Sequence, residues 1–292
     1  MRAALSRSLE VRVRVRATIE ATIYDRPGRW MDDTSLDALR DAIRGVAAVA
    51  IPGPLAYGVF LPDRAPFANR LIVLGRHLET GDIVGFNAMP QLDVHVEGRT
   101  ATVLHLGLLV IHPAYQRQGL QGLLYALGGF SALHRIADRP VWLSSVTEVP
   151  AIVGAVSDNF NEVYPTYQNN RSPSAAHRAI ARGLMDRHRH EFGVGPEARF
   201  DEERFVIEGS YSGGSDALKK TFAGAPKYRA EACNSFCRRV LDYDRGDDLL
   251  QIGQMDSTVI TNWLTRRLPP ELRPAAARTM RVWSYPARGV RP

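Results

Sequence analysis

Apolar and polar positions alternate with a period of two near the start of the chain, where Val11, Val13 and Val15 interleave with Arg12, Arg14 and Arg16. That period predicts a strand with one wet face. After Asp32 the period lengthens. Leu36, Leu39, Ile43 and Val46 recur at helical spacing and predict a helix over 32–49, capped by Asp33 or Thr34. Ile51-Pro-Gly-Pro then reads as a loop. Segments 70–78 and 82–88 form a predicted hairpin closed by Glu79-Thr80-Gly81, and 92–96 turns through Glu97-Gly98-Arg99 into an apolar run over 101–111. Pro113 cannot continue a ladder and stops that run. From Leu120 the apolar positions Leu123, Leu124 and Leu127 return to helical spacing, predicting a helix that ends near Arg135.

Downstream, 141–146 reads as a buried strand and 150–159 as a short helix. A long amphipathic helix is expected over 172–192, strands over 204–210 and 248–253, and helices over 217–222, 230–241 and 257–267. These elements describe one mixed α/β domain spanning 1–292. Its core covers about 9–164 plus the two late strands, with a helical elaboration at 172–240.

Composition narrows the class. A chain of 292 residues buries about three-quarters of its unfolded surface, enough for a sizeable core without staples. No apolar run approaches the roughly 20 residues of a membrane span, so no membrane role is expected. The Arg-rich N-terminus lacks an apolar leader core, which favours the strand over a cleaved signal. Two cysteines, Cys233 and Cys237, give no disulfide framework, and a reducing cytoplasm is the expected setting. The net charge of +6 is concentrated after 265, where seven arginines face one acid, Glu271. Few aromatic residues accompany them, so a solvated basic segment over 266–292 is expected and nucleic acid is not. Three lysines beside abundant arginine and alanine suggest a GC-rich bacterial source.

The chemistry lies between the apolar run and the following helix. Gln116, Arg117, Gln118, Gly119, Leu120, Gln121, Gly122 and Leu123 sit at a predicted helix N-terminus, where unpaired backbone N–H groups and the positive dipole end converge. The two glycines allow close approach, Arg117 adds a charge, and a diphosphate suits such a point. The stretch Val110-Ile-His-Pro-Ala-Tyr-Gln-Arg-Gln-Gly-Leu resembles the acyl-CoA-binding motif of the GNAT superfamily of N-acyltransferases, with Pro113, Tyr115, Gln116 and Gly119 in register. Gln121 departs from it, since the family has Gly or Ala there.

The resemblance implies the GNAT-like acyl-CoA N-acyltransferase fold: α/β, with a mixed, mostly antiparallel central sheet flanked by helices. It implies acetyl-CoA or another acyl-CoA as co-substrate. The pantetheine would pair with backbone groups of Leu109, Val110 and Ile111, the diphosphate would lie on 116–123, and backbone N–H groups of Leu108 and Leu109 would polarise the acyl carbonyl. An amine attacks directly, so the protein needs a base and an acid rather than a nucleophile. His105 and Glu148 are the candidate bases; each also has a structural reading, as a buried hydrogen-bonded ring and as a cap for the helix at Pro150. The family's acid is a Tyr at the position held here by Ala155, so Tyr164 and Tyr167 are the candidate substitutes.

His188 and His190 are two apart, which splits them between helix faces, and no metal is expected. The run Asp242–Asp248 reads as a solvated turn, and Tyr211-Ser-Gly-Gly-Ser as a loop or lid. The expected activity is N-acylation of a small-molecule primary amine, with a protein or peptide acyltransferase and a non-catalytic CoA-binding module as the other readings. Oligomeric state is open, a homodimer included.

Overall fold

Each strand pattern finds its partner in one sheet. The computed structural model describes residues 9–136, 140–259 and 262. β1 (Glu10–Arg16) forms an edge and pairs antiparallel with β2 (Ile19–Asp25), which the sequence pattern left unmarked. The connecting residues 17–18 carry neither Gly nor Pro, the punctuation on which a hairpin reading depends. Helix α1 (Asp33–Ala50) follows, and its cap is Asp32 rather than Asp33 or Thr34: the Asp32 carboxylate accepts the Ser35 N–H at 2.8 Å.

β3 (Arg70–His77) pairs with the first half of β4 (Ile83–Val96). The two strands expected over 82–96 are therefore one strand of 14 residues. It changes its outer partner along its length, pairing through Gln91–Val96 with β5 (Arg99–His105) and through Gly85–Asn87 with β6 (Leu109–Ile111). Pro90, which cannot donate to a ladder, is the last residue paired with β3. β7 (Val141–Thr147) runs parallel to β5, and β11 (Asp248–Met255) returns antiparallel to β7. β8 (Asn161–Tyr164) pairs with β11, and β9 (Arg199–Asp201) and β10 (Val206–Glu208) close the far edge. The sheet is mixed and mostly antiparallel, as expected.

Among the described residues four more full-length helices cover it: α2 (Leu120–Arg135), α3 (Pro150–Asn159), α4 (Ala175–Arg187) and α5 (Glu231–Val240). Strand alternation on β4 sorts them. Phe86 and Ala88 pack on Leu36, Leu39 and Ile43 of α1, and Leu92 and Val94 on Ile180 and Leu184 of α4. Met89, on the opposite face, packs with Leu124 and Leu133 of α2. Truncating a side chain as buried as Leu124 to Ala costs roughly 2–5 kcal/mol, so this layer holds α2 firmly against the sheet.

The 172–240 segment is less helical than its pattern suggests. α4 stops at Arg187 and gives way to a 3-10 turn, Arg189–Phe192; the expected helix over 217–222 is only a 3-10 turn, Asp216–Leu218; and β9 and β10 lie in the same segment. Residues 257–259 begin the expected last helix, and most of it, with the basic segment 266–292, lies outside the described residues.

Candidate active site

The run 101–111 breaks at Leu106-Gly107-Leu108, and that break opens the site. Leu106 N–H donates to the Ser144 carbonyl at 2.7 Å, the last rung toward β7. Gly107 N–H then turns back to the His105 carbonyl at 2.8 Å. A Cβ at 107 would lie 2.0 Å from the Ala88 carbonyl oxygen, so only glycine fits this approach. The Leu108 carbonyl accepts from Ala88 N–H at 3.0 Å and restores pairing with β4, while β7 continues along its own line. β6 and β7 thus part, and a gap opens between them.

Alternation decides what faces the gap. The Leu108 carbonyl and His112 N–H both address β4, and Val110 sits opposite Phe86 between them. Leu109 and Ile111 therefore turn their main-chain groups the other way, toward β7. Of the three residues expected to pair with the carrier, Leu109 and Ile111 turn their main-chain groups away from β4. Val110 spends its backbone on β4.

The turn beyond β6 presents main chain. His112 caps the 3-10 turn Pro113–Tyr115, accepting Ala114 N–H at 3.3 Å. Arg117 and Gly119 both adopt positive φ, 60° and 74°, which bends the chain into the start of α2. Gly119 is the N-cap and offers no side chain to the helix N–H groups. Gln116, Arg117, Gln118 and Gly119 are exposed, whereas Leu120 is buried and Leu123 packs beside it against Ile19 and Val84. At Leu120 only the backbone N–H is available to a ligand, and at Leu123 that N–H lies within the helix ladder. Gln116 anchors the turn through its amide, which donates to the Ile111 carbonyl at 3.2 Å. Arg16 on β1 donates to the Gln118 carbonyl, bringing a second guanidinium to the turn beside Arg117.

Two chambers meet behind this turn. The first, about 410 Å³, runs between α2 and α3 past Gly119, Gly122, Ala126 and Gly129 on one side and Ala151, Ile152 and Ala155 on the other. Small residues at helical spacing make it a slot. Ala155, where the family motif has Tyr, is part of that wall. The second chamber, about 230 Å³, lies across the strand break, against Arg70, His105, Glu191, Tyr211, Lys220 and Asp248. Leu106, Gln121, Tyr125 and Ile152 line both. Gln121, the departure from the motif, therefore borders the passage.

His105 reaches the second chamber, but its setting suppresses basicity. Its ring stacks on Phe192 with centroids 4.2 Å apart, and Nδ1 meets Ser144 Oγ at 3.0 Å. Burial, with the nearby Arg70 charge, pushes its pKa down to about 3. The ring stays neutral at pH 7 and is a poor proton acceptor.

Glu148 is fully buried at the end of β7 and does not cap α3, whose N-cap is Val149. One carboxylate oxygen accepts Lys220 N–H; the other is buried without a hydrogen-bond partner. Burial, reinforced by Asp248, raises its pKa to about 7. Asp248, at the start of β11, is raised to about 6, mainly by burial. Ser210 donates to Asp248 Oδ2 at 2.6 Å and Tyr211 to Oδ1 at 3.1 Å. The Tyr211 hydroxyl interacts with Glu148 as well, and both acids and its own burial push its pKa up. Two carboxyls and a phenol thus form a buried acidic group beside the chamber.

Asp248 belongs to a run read as solvated, yet Asp247 and Asp248 are both buried. Asp242 and Asp244 are exposed at the turn as expected, Asp242 accepting the N–H groups of Asp244 and Arg245 at 3.0 Å. The signal available in sequence was the apolar stretch Leu249–Leu250 immediately after Asp248, which draws the strand's first residue into the core.

Tyr164 and Tyr167 lie elsewhere. The Tyr164 hydroxyl donates to the Glu203 carbonyl at 3.0 Å, and the Tyr167 hydroxyl to Asp158 at 2.6 Å; neither residue lines either chamber. The phenol placed at the passage is Tyr125, on α2, whose hydroxyl donates to the Gly107 carbonyl at 3.3 Å. Burial raises its pKa to about 12, so it keeps its proton at neutral pH. Helical spacing marks Leu124 and Leu127 and leaves Tyr125, between them, unmarked.

Among solved structures the chain is similar to acetyltransferases. An acetyltransferase of Trypanosoma brucei overlaps 39% of this chain and 74% of its own at 16% identity, with a TM-score of 0.26. A tandem GNAT protein from the clavulanic acid biosynthesis pathway overlaps 44% of this chain and 36% of its own at 19% identity and a TM-score of 0.28. A GNAT-like decarboxylase in complex with isobutyryl-CoA overlaps 74% and 95% at 14% identity and a TM-score of 0.32. No family model and no curated protein matches the sequence. Overlaps this partial leave the functional reading to the chain's own geometry. Among the described residues, no helix is long and apolar enough to cross a membrane.

Proposed function

We propose that the chain is an acyl-CoA-dependent N-acyltransferase that moves an acetyl or short acyl group to the primary amine of a small molecule by direct attack in a ternary complex. One observation carries this reading: the break at Leu106–Leu108 parts β6 from β7 and opens a passage that begins at an anion-binding turn and ends at a buried acidic group. The diphosphate lies on the N–H groups of 119–122, beside Arg117 and Arg16. The pantetheine follows the slot between α2 and α3 and pairs with Leu109 and Ile111 as an added half-strand. The thioester then sits where the chambers meet, with Leu109 N–H polarising its carbonyl.

The chemistry needs two proton movements. The acceptor arrives as an ammonium and gives one proton to the acidic group formed by Glu148 and Asp248, whose raised pKa values suit uptake at neutral pH. The free amine attacks, the C–N bond forms and the C–S bond breaks. Tyr125 is placed to protonate the departing thiolate, and the amine's second proton restores the phenol through the passage. A second chamber of about 230 Å³ favours a small acceptor over a protein tail. Two free, buried thiols, Cys233 and Cys237, suit a reducing cytoplasm.

The test is release of free thiol from acetyl-CoA in the presence of a panel of primary amines, with the product weighed by mass spectrometry. Amine-dependent thiol release and a product heavier by one acetyl group are expected. Tight acetyl-CoA binding with no thiol release against any amine would make the chain a carrier-binding module instead.

A further inference from the structure

The geometry points to Asp248 as the residue that selects the acceptor, restricting it to compact primary amines that carry one positive charge on an apolar body. This rests on the acyl-transfer reading for the identity of the second chamber, and it adds the chemical class of what that chamber takes.

The walls supply the argument. Arg70 and Glu191 face the chamber as a closed pair: Glu191 bonds the Arg70 guanidinium with one oxygen and Asn69 Nδ2 at 2.8 Å with the other. Satisfied in this way, they offer a ligand little net charge. Tyr57, Phe60, Phe192 and Leu218 give the enclosure an aromatic and apolar stretch of wall. Asp248 is different. It lines the chamber, is 4% exposed, and its two oxygens are held by Ser210 and Tyr211, both neutral donors. No cation pairs with it in any salt bridge of the described residues. Glu148 lies behind it with one oxygen buried and unpartnered, a site that costs energy until a donor or a proton arrives.

A buried carboxylate fixed by neutral donors beside an apolar enclosure is built to take one ammonium. Burial of both carboxyls, with the Asp248 charge acting on Glu148, favours their protonated forms while the chamber is empty. The ammonium supplies a countercharge at Asp248, and a carboxyl proton leaves for solvent. The groups facing the pair do not compete for that proton. Tyr211 and Tyr243 have raised phenol pKa values, and Asp247 is bound to Arg245. Lys220, which also lines the chamber, already counts as a positive wall and disfavours acceptors with a second cationic centre.

The experiment is calorimetric titration of the CoA-loaded protein with 2-phenylethylamine and, separately, with 2-phenylethanol, in buffers of different ionisation enthalpy near pH 6.5. Binding of the amine with net proton release, and at least tenfold weaker binding of the alcohol, are expected. Asp248→Asn should weaken the amine by roughly ten- to a hundredfold and abolish the proton release while CoA still binds. Ser210→Ala, which removes one holder of the carboxylate, should weaken the amine by a smaller factor. Equal affinity for amine and alcohol, or unchanged amine binding in Asp248→Asn, would overturn the assignment. Failure of CoA itself to bind would instead strike the acyl-transfer reading, so the two failures are distinguishable.

Discussion

The turn at 116–122 and the chamber around Asp248 lie at opposite ends of one passage, yet the first is made of main chain and the second of side chains. The turn is contiguous, exposed and short: two positive φ angles, a glycine N-cap and an exposed arginine present N–H groups to solvent. The chamber draws Arg70 from β3, His105 from β5, Glu191 and Tyr211 from two separate 3-10 turns and Asp248 from β11. Backbone recognition needs a local bend, which a local motif can encode. Side-chain recognition needs convergence, which only the sheet order supplies.

Breaking the turn should have the largest effect. Gly119→Glu places a side chain and a negative charge where an anion must approach, on a backbone with φ of 74°. Acyl-CoA affinity should fall by about a hundredfold or more, while the strain costs only about 1–2 kcal/mol of stability. Calorimetry and a thermal melt on the same variant check both halves. Retained affinity would detach the turn from the carrier.

The chamber answers to pH. Glu148 has a folded-state pKa raised to about 7, so between about pH 4 and pH 7 the folded state holds a proton that the unfolded chain has released. Its contribution to stability is therefore full at about pH 4 and is lost as the pH rises through 7. Glu148→Gln removes that loss and should stabilise the fold by on the order of 2 kcal/mol at pH 8 relative to pH 4, measured as the difference from native in chemical denaturation. A difference independent of pH would mean that Glu148 is ionised throughout.

What the sequence made legible follows the same division. Apolar periodicity located β1, α1, α2, β7, α3 and α5 closely, because each buries one face along its own length. The strand break at Gly107 was visible only as a glycine; that it must be one follows from the Ala88 carbonyl, 19 residues earlier, which no local pattern reports. Asp248 was hidden by its acidic neighbours. Its burial depends on Ser210 and Tyr211, 38 and 37 residues away. Tyr164 and Tyr167 drew attention by proximity in sequence to α3, and the chain uses both hydroxyls elsewhere.

The smallest effect sharpens the contrast. Tyr167→Phe removes the hydroxyl that donates to Asp158 at 2.6 Å, and neither residue lines a chamber. Stability should fall by about 1 kcal/mol and turnover should stay within about twofold of native. A large loss of turnover with unchanged acyl-CoA affinity would restore Tyr167 as the acid and displace Tyr125.

The most direct measurement is a calorimetric titration of the native chain with acetyl-CoA, repeated with acetyl-pantetheine, which lacks the diphosphate. Saturable one-to-one heat for the complete carrier, with at least tenfold weaker binding of the truncated one, is the predicted result. Equal binding of both, or no heat from either, would contradict a passage whose entrance is the main chain at Gly119.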